Sequence, residues 1–315
     1  MARSVEIRCD PSFAEEAVFL ELSAREAAGD RRVAQVFHAQ RAALYDAAAS
    51  PEQREAAFQQ LAARYFDELG FAQLFTKRLG EFPLVAAHVH AVMVRRAFCR
   101  KDERVELYVL PGSTAHQDFG GPTTLLIDLQ AIRCRDRHRL VAWLRHELMH
   151  VSDMLDPAFA YQPHPELGGE YELENDLIRE RFRLLWDLCV EGRMRRRGWQ
   201  AVAEEATRHR EFERMFAPWE PLRREAVWRD LGSRDNWTQR ELLELAQDER
   251  LTRMLGQGGI RCPLCHFPTR EGVRDWGGGH AAVAEAIHMD YPAWESSHGA
   301  CLQCVELYRS RLQLA

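Results

Sequence analysis

Over most of the chain the apolar residues recur at helical spacing, broken near the middle by two short runs of a different kind. Asp10-Pro11 opens a first predicted helix and Gly29 closes it. Ser50-Pro51-Glu52-Gln53 reads as a capping box with proline at the first helical position, and Gly70 ends the helix that follows. On it Phe58, Leu61, Ala62, Tyr65 and Phe66 form a buried stripe. Another helix is predicted over 84–98, where His88 and His90, two positions apart, face different ways and share no metal.

The two exceptional runs are Val105-Glu106-Leu107-Tyr108-Val109-Leu110 and Thr123-Thr124-Leu125-Leu126-Ile127-Asp128-Leu129. Their β-branched and aromatic content predicts strands, separated by a Gly/Pro-rich loop. A helix follows over 137–154, capped by Asp136, apolar at Leu140-Val141-Ala142-Trp143-Leu144 and stopped by Asp156-Pro157. After a loop at 163–169, a long helix over 171–197 ends in Arg193, Arg195, Arg196 and Arg197, with Gly198 as its C′ residue. Cations there answer the helix dipole and need no phosphate to explain them. Further helices are predicted over 200–256, anchored by Trp219, Trp228 and Trp237, with Thr238 capping 239–255. Gly256-Gln257-Gly258-Gly259 reads as a flexible linker, Gly277-Gly278-Gly279 as a mobile loop, and 281–289 as a short helix.

On the 137–154 helix stands His146-Glu147-Leu148-Met149-His150, an H-E-x-x-H motif. Four positions apart, the two imidazoles share one helix face and can reach one zinc ion, and Glu147 lies where a carboxylate can take a proton from water at the metal. Strands followed by such a helix resemble a zincin-type zinc peptidase domain. The resemblance covers the motif helix, the strands over 105–129 and the region around Glu191. It implies a catalytic zinc, a third protein ligand, and hydrolysis of peptide bonds with Glu147 as general base. The plainer reading is a buried helix whose histidines only form hydrogen bonds.

Three residues compete for the third ligand. Glu191, 41 residues after His150 on the long helix, resembles the gluzincin arrangement. Asp156 falls six residues after His150, where metzincins place theirs, although Asp153 stands where those proteins turn at glycine. His164, in the loop, resembles the arrangement of SprT-like proteases. His116 and Tyr161 are candidates by position for an oxyanion donor.

The C-terminal region carries a second signal. Cys262-Pro263-Leu264-Cys265 and Cys301-Leu302-Gln303-Cys304 are paired C-x-x-C elements with 35 residues between them. Two such knuckles supply four thiolates to one structural zinc, the second pair at a predicted helix start where dipole and N–H groups favour thiolates. The module is similar to a zinc ribbon or treble clef, and His266, His280, His288 and His298 stand nearby as alternative ligands. The competing reading, two disulfides, demands an oxidising compartment.

The expected fold class is thus α+β and predominantly helical. It comprises an N-terminal helical region (1–100), a zincin-like domain with a small sheet and active-site helix (101–256), and a four-cysteine zinc-binding module (257–315). No leader-like apolar region or membrane-length run is seen, and the other cysteines (Cys9, Cys99, Cys134, Cys189) are scattered singly, so a cytoplasmic protein is expected. Forty-two basic against 48 acidic residues, a net charge of −6, disfavour general attraction to nucleic acid. The expected partner is a protein or peptide substrate. A non-hydrolytic adaptor that binds protein or nucleic acid through the four-cysteine module is the alternative.

Overall fold

The computed structural model describes residues 5–47, 50–109, 123–169, 172–248, 260–265, 268–269, 272–273, 275–277 and 280–314. It is predominantly helical with small sheets, and twelve α-helices lie among the described residues. The chain divides into two compact units. One holds Met1–Pro163, Cys189–Glu204 and Gly232–Thr238, the other His164–Leu188, Glu205–Leu231 and Gln239–Ala315.

The first unit is built on β1 (Glu6–Cys9), β2 (Val89–Arg96), β3 (Arg104–Val109) and β4 (Thr123–Leu129), in the order β1-β2-β4-β3. β1, β2 and β4 run parallel, and β3 pairs antiparallel with β4, Leu107 opposite Leu125. Parallel neighbours need a long crossover. Between β1 and β2 it consists of α1 (Pro11–Ala27), α2 (Arg32–Ala47), α3 (Pro51–Glu68), α4 (Phe71–Leu79) and α5 (Pro83–His88). The caps read from sequence are present: Asp10 Oδ1 accepts from Ser12 N (2.8 Å) and Ser50 Oγ from Gln53 N (3.2 Å).

The predicted helix over 84–98 is corrected to six residues of helix followed by β2. Val89, Val92 and Val94, all buried, fill the middle of the sheet between β1 and β4. There ladder bonds to two neighbouring strands outweigh a modest helical preference. His88 closes α5, its Nδ1 donating to Leu84 O (2.8 Å), whereas His90 Nδ1 accepts from Thr123 N (3.2 Å). β1 lies in a segment whose charged residues hide it from pattern reading, since it is only four residues long.

A short 3-10 turn leads from β4 into α6 (Arg137–Leu155), the motif helix. Asp136 Oδ1 accepts from Arg139 N at 3.0 Å, the expected cap. Leu140, Leu144, Leu148 and Val151 are at most 1% exposed, so α6 is a core helix. α7 (Glu172–Arg196) is one unbroken helix, and the division between the units falls inside it, after Leu188. It ends as predicted: Gly198 adopts φ 68°, and Trp199 N bonds back to Met194 O (2.9 Å), a Schellman closure. Each terminal cation has a structural task. Arg193 binds Asp153, Arg195 lies beside Glu191, Arg196 binds Asp235, and Arg197 stacks on Trp199.

The second unit contains α8 (Glu205–Met215), α9 (Pro221–Ser233, whose last residues belong to the first unit) and α10 (Gln239–Ala246). Phe212, Phe216, Trp219 and Trp228 pack as an aromatic cluster, with Phe216 and Trp219 ring centres 4.5 Å apart. The helix predicted over 239–255 ends at Ala246, and the predicted linker 256–259 lies outside the described residues, as do Gly278 and Gly279. The cysteine module follows: β5 (Ile260–Arg261) pairs with β6 (Pro268–Thr269), β7 (Gly272–Val273) with β8 (Ala300–Cys301), and α11 (Ala281–Asp290) and α12 (Leu302–Leu314) complete it. Val283, Ile287, Trp294, Val305 and Tyr308 pack with the cysteines into a core of the module's own. Among the described residues no helix is long and apolar enough to cross a membrane.

Candidate metal centres

The cysteine cluster is the simpler centre. The β5–β6 hairpin presents Cys262 and Cys265, and the start of α12 presents Cys301 and Cys304. The Cys262–Cys304 and Cys265–Cys301 Sγ atoms are each 3.8 Å apart, and all four lie within 4.8 Å of one another. Zinc–sulfur bonds of about 2.3 Å in a tetrahedron place sulfurs about 3.8 Å apart, so the cluster has the dimensions of a zinc site. All four are free thiols, and that separation is nearly twice a disulfide bond.

Backbone donors support the charge. Cys301 N points at Cys262 Sγ (3.3 Å) and Cys304 N at Cys301 Sγ (3.4 Å). Burial raises the Cys262 thiol pKa, but N–H groups of Cys301, Cys265 and Leu264 bring it down to about 7. At Cys304 burial and the neighbouring cysteines push the other way. The nearby histidines are engaged elsewhere: His288 Nδ1 donates to Trp294 O (3.0 Å), His298 Nδ1 accepts from Glu295 N (3.1 Å), and His280 packs against Trp276. His266 lies outside the described residues.

The second centre starts from α6. His146 and His150, one turn apart, bring their ring centres to 4.7 Å at 73°. His146 is buried (5% exposed), while the Glu147 side chain keeps 23% of its surface open. With its proton on Nδ1, His146 donates to Glu147 Oε1 (3.1 Å), which puts the ligating lone pair on Nε2. Both histidines belong to the first unit, and two imidazoles on one helix face are a pair of donors that zinc accepts.

The other predicted ligands stand as follows. Glu191, one turn beyond Asp187, is fully buried, with Arg195 Nη1 at 3.9 Å from Oε2. Asp156 is used at the end of α6, where Oδ1 accepts from Ala158 N (2.9 Å). His164 is exposed in the loop at 163–169. Tyr161 is half-buried, and burial raises its hydroxyl pKa. His116 lies outside the described residues.

Pattern reading missed the role of Asp153, one turn past His150. Arg193 grips that buried carboxylate with both guanidinium nitrogens, Nη1 at 2.6 Å, tying α6 to the final turns of α7. Burial works against the Arg193 charge, but the Asp153 bond together with the charges of Asp153, Cys189 and Asp235 outweighs it, and its pKa is raised.

The chain matches no protein-family model, no curated protein and no solved structure.

Proposed function

We propose that this protein is a zinc-dependent peptidase whose metal is held by His146, His150 and Glu191, the third ligand that the gluzincin resemblance implies, with a second, structural zinc in the cysteine cluster. The observation that carries the proposal is a pair of imidazoles one turn apart on a core helix, beside a glutamate that keeps part of its surface open to solvent. A structural histidine pair has no use for such a glutamate.

Zinc held there would supply Lewis-acid chemistry, polarising the scissile carbonyl and acidifying water. Glu147 takes the proton of the attacking water and passes it to the leaving amine, the work of a general base and then acid. Its hydrogen bond with His146 Nδ1 orients both side chains and fixes the tautomer. β3, the outer strand of the sheet, packs beside α6 and has no partner strand on its far side among the described residues. An extended peptide can pair with such an edge.

The test is Glu147→Gln, assayed with a quenched-fluorescence peptide library and by elemental analysis. Zinc content unchanged and hydrolysis lower by about 10²–10⁴-fold is the expected pair of results, the range for a general base. A zinc-replete variant with wild-type turnover would sink the mechanism.

A further inference from the structure

The four members of the cysteine cluster are not equally sheltered. Cys262, Cys301 and Cys304 are 1%, 5% and 9% exposed, whereas Cys265, the last residue of the first knuckle, is open to solvent. Backbone N–H groups are aimed at two of the buried sulfurs, Cys301 N at Cys262 Sγ and Cys304 N at Cys301 Sγ. Such bonds stabilise a thiolate, and a thiolate so stabilised is a weaker nucleophile. Cys265 is therefore the member of the cluster that a dissolved oxidant reaches first.

A partner for it is already in place, since Cys265 Sγ lies 3.8 Å from Cys301 Sγ. Closing that gap to a disulfide bond of about 2.0 Å brings the sulfurs together by about 1.8 Å, a displacement that side-chain torsions supply. The rest of the chain offers an oxidant little. Burial pushes the Cys9 and Cys134 thiols up to about 12 and raises the Cys189 thiol as well. Thiols of that kind stay protonated and inert at neutral pH. Cys99, exposed like Cys265, gives its S–H to Asp102 Oδ2 (3.1 Å) and joins no metal-ligating cluster among the described residues.

We infer that the cysteine module is a peroxide-sensitive switch, with Cys265 as the attacking thiolate and Cys301 as the resolving one. The inference rests on the reading of the cluster as a zinc site and is independent of the peptidase reading. Cys265 Sγ attacks one oxygen of hydrogen peroxide, the O–O bond breaks, hydroxide leaves and a sulfenic acid remains on Cys265. The Cys301 thiolate then attacks that sulfur, the S–O bond breaks and a second hydroxide leaves as the disulfide forms. Two thiolates have lost two electrons, and one peroxide has become two hydroxides. Cys262 and Cys304 alone are too few to hold zinc tightly. Without the metal, the core of Val283, Ile287, Trp294, Val305 and Tyr308 packed with the cysteines loosens and its apolar surface opens.

The experiment uses the full-length protein and a chromogenic zinc chelator. A thiol-blocking mercurial counts the zinc held by sulfur, with one per chain expected. Hydrogen peroxide should release the same amount from a second sample, and peptide mapping should find Cys265 joined to Cys301. Cys265→His keeps a ligand set of three cysteines and one histidine, and it should release zinc at least about tenfold more slowly because the reachable thiolate is gone. Cys304→His, the same exchange at a buried position, should follow the wild type. Peptide mapping of the wild type decides the question even where a variant loses its zinc. Mercurial release without peroxide release would overturn the switch and leave the zinc site standing, and no release by either would overturn both. The same rate in Cys265→His as in the wild type, equal slowing in the two variants, or a disulfide between other cysteines would also overturn the assignment.

Discussion

In the cysteine cluster the ligands arrive as two pairs, each spanning four residues, on a hairpin and a helix start. The candidate histidine centre has one pair of donors on α6 and needs a third from elsewhere in the chain. The first centre is a local construction: backbone N–H groups of its own loops point at the sulfurs, and the module's core is laid directly around them. The second depends on where α6 packs, and that core helix is buried for reasons unconnected with metal. Metal should therefore decide whether the cysteine module folds, while the fold should decide whether the histidine centre holds metal.

The largest effect expected from this contrast is in the module. Cys262→Ser/Cys301→Ser should remove one zinc per chain and unfold residues 260–314, because structural zinc supplies roughly 10–16 kcal/mol in small modules. Hydrogen exchange should show protection lost there and kept in α6. Protection lost equally from both regions would erase the distinction drawn between the centres.

Next in size is the buried clamp. Asp153→Asn leaves Arg193 charged and uncompensated, and breaking such a pair costs about 3–5 kcal/mol. Chemical denaturation should show that loss in the first unit, together with weaker metal binding by the histidine centre. A change under about 1 kcal/mol would mean the pair is a bystander.

The third ligand can be sharpened by a pair of variants. Glu191→Ala should weaken zinc binding by more than the roughly 10–100-fold typical of an outer-shell partner, whereas Asp156→Asn should leave occupancy intact. The reverse pattern would favour the metzincin arrangement.

The smallest effect is one of pH. Tyr308 OH donates to Asp290 Oδ2 at 2.6 Å, and burial first, then that bond, raise the phenol pKa to about 12. A folded-state pKa above the usual value near 10 gives stability that is whole below about pH 10 and disappears as pH climbs through about 12. Tyr308→Phe should flatten the alkaline limb of the module's melting curve over that window, and an unchanged limb would mean the bond carries no stability.

Much of this was legible in the sequence because the signals are local. A capping aspartate, a C′ glycine and paired cysteines each act within a turn or two, so Asp136, Gly198 and Cys262 stand where spacing puts them. The strand at 89–96 was not legible, since its Val-His-Ala-Val-Met-Val pattern suits either structure and only its place between two partner strands decides. Asp153 looked like a failed glycine turn until Arg193, 40 residues later, came to meet it.

The most direct test is zinc per chain by elemental analysis, on the wild-type protein and on His146→Ala/His150→Ala. Two zincs falling to one, with the cysteine module still folded, is the result this account predicts. One zinc in both proteins would show that the histidine helix holds no metal, and the peptidase proposal would fall with it.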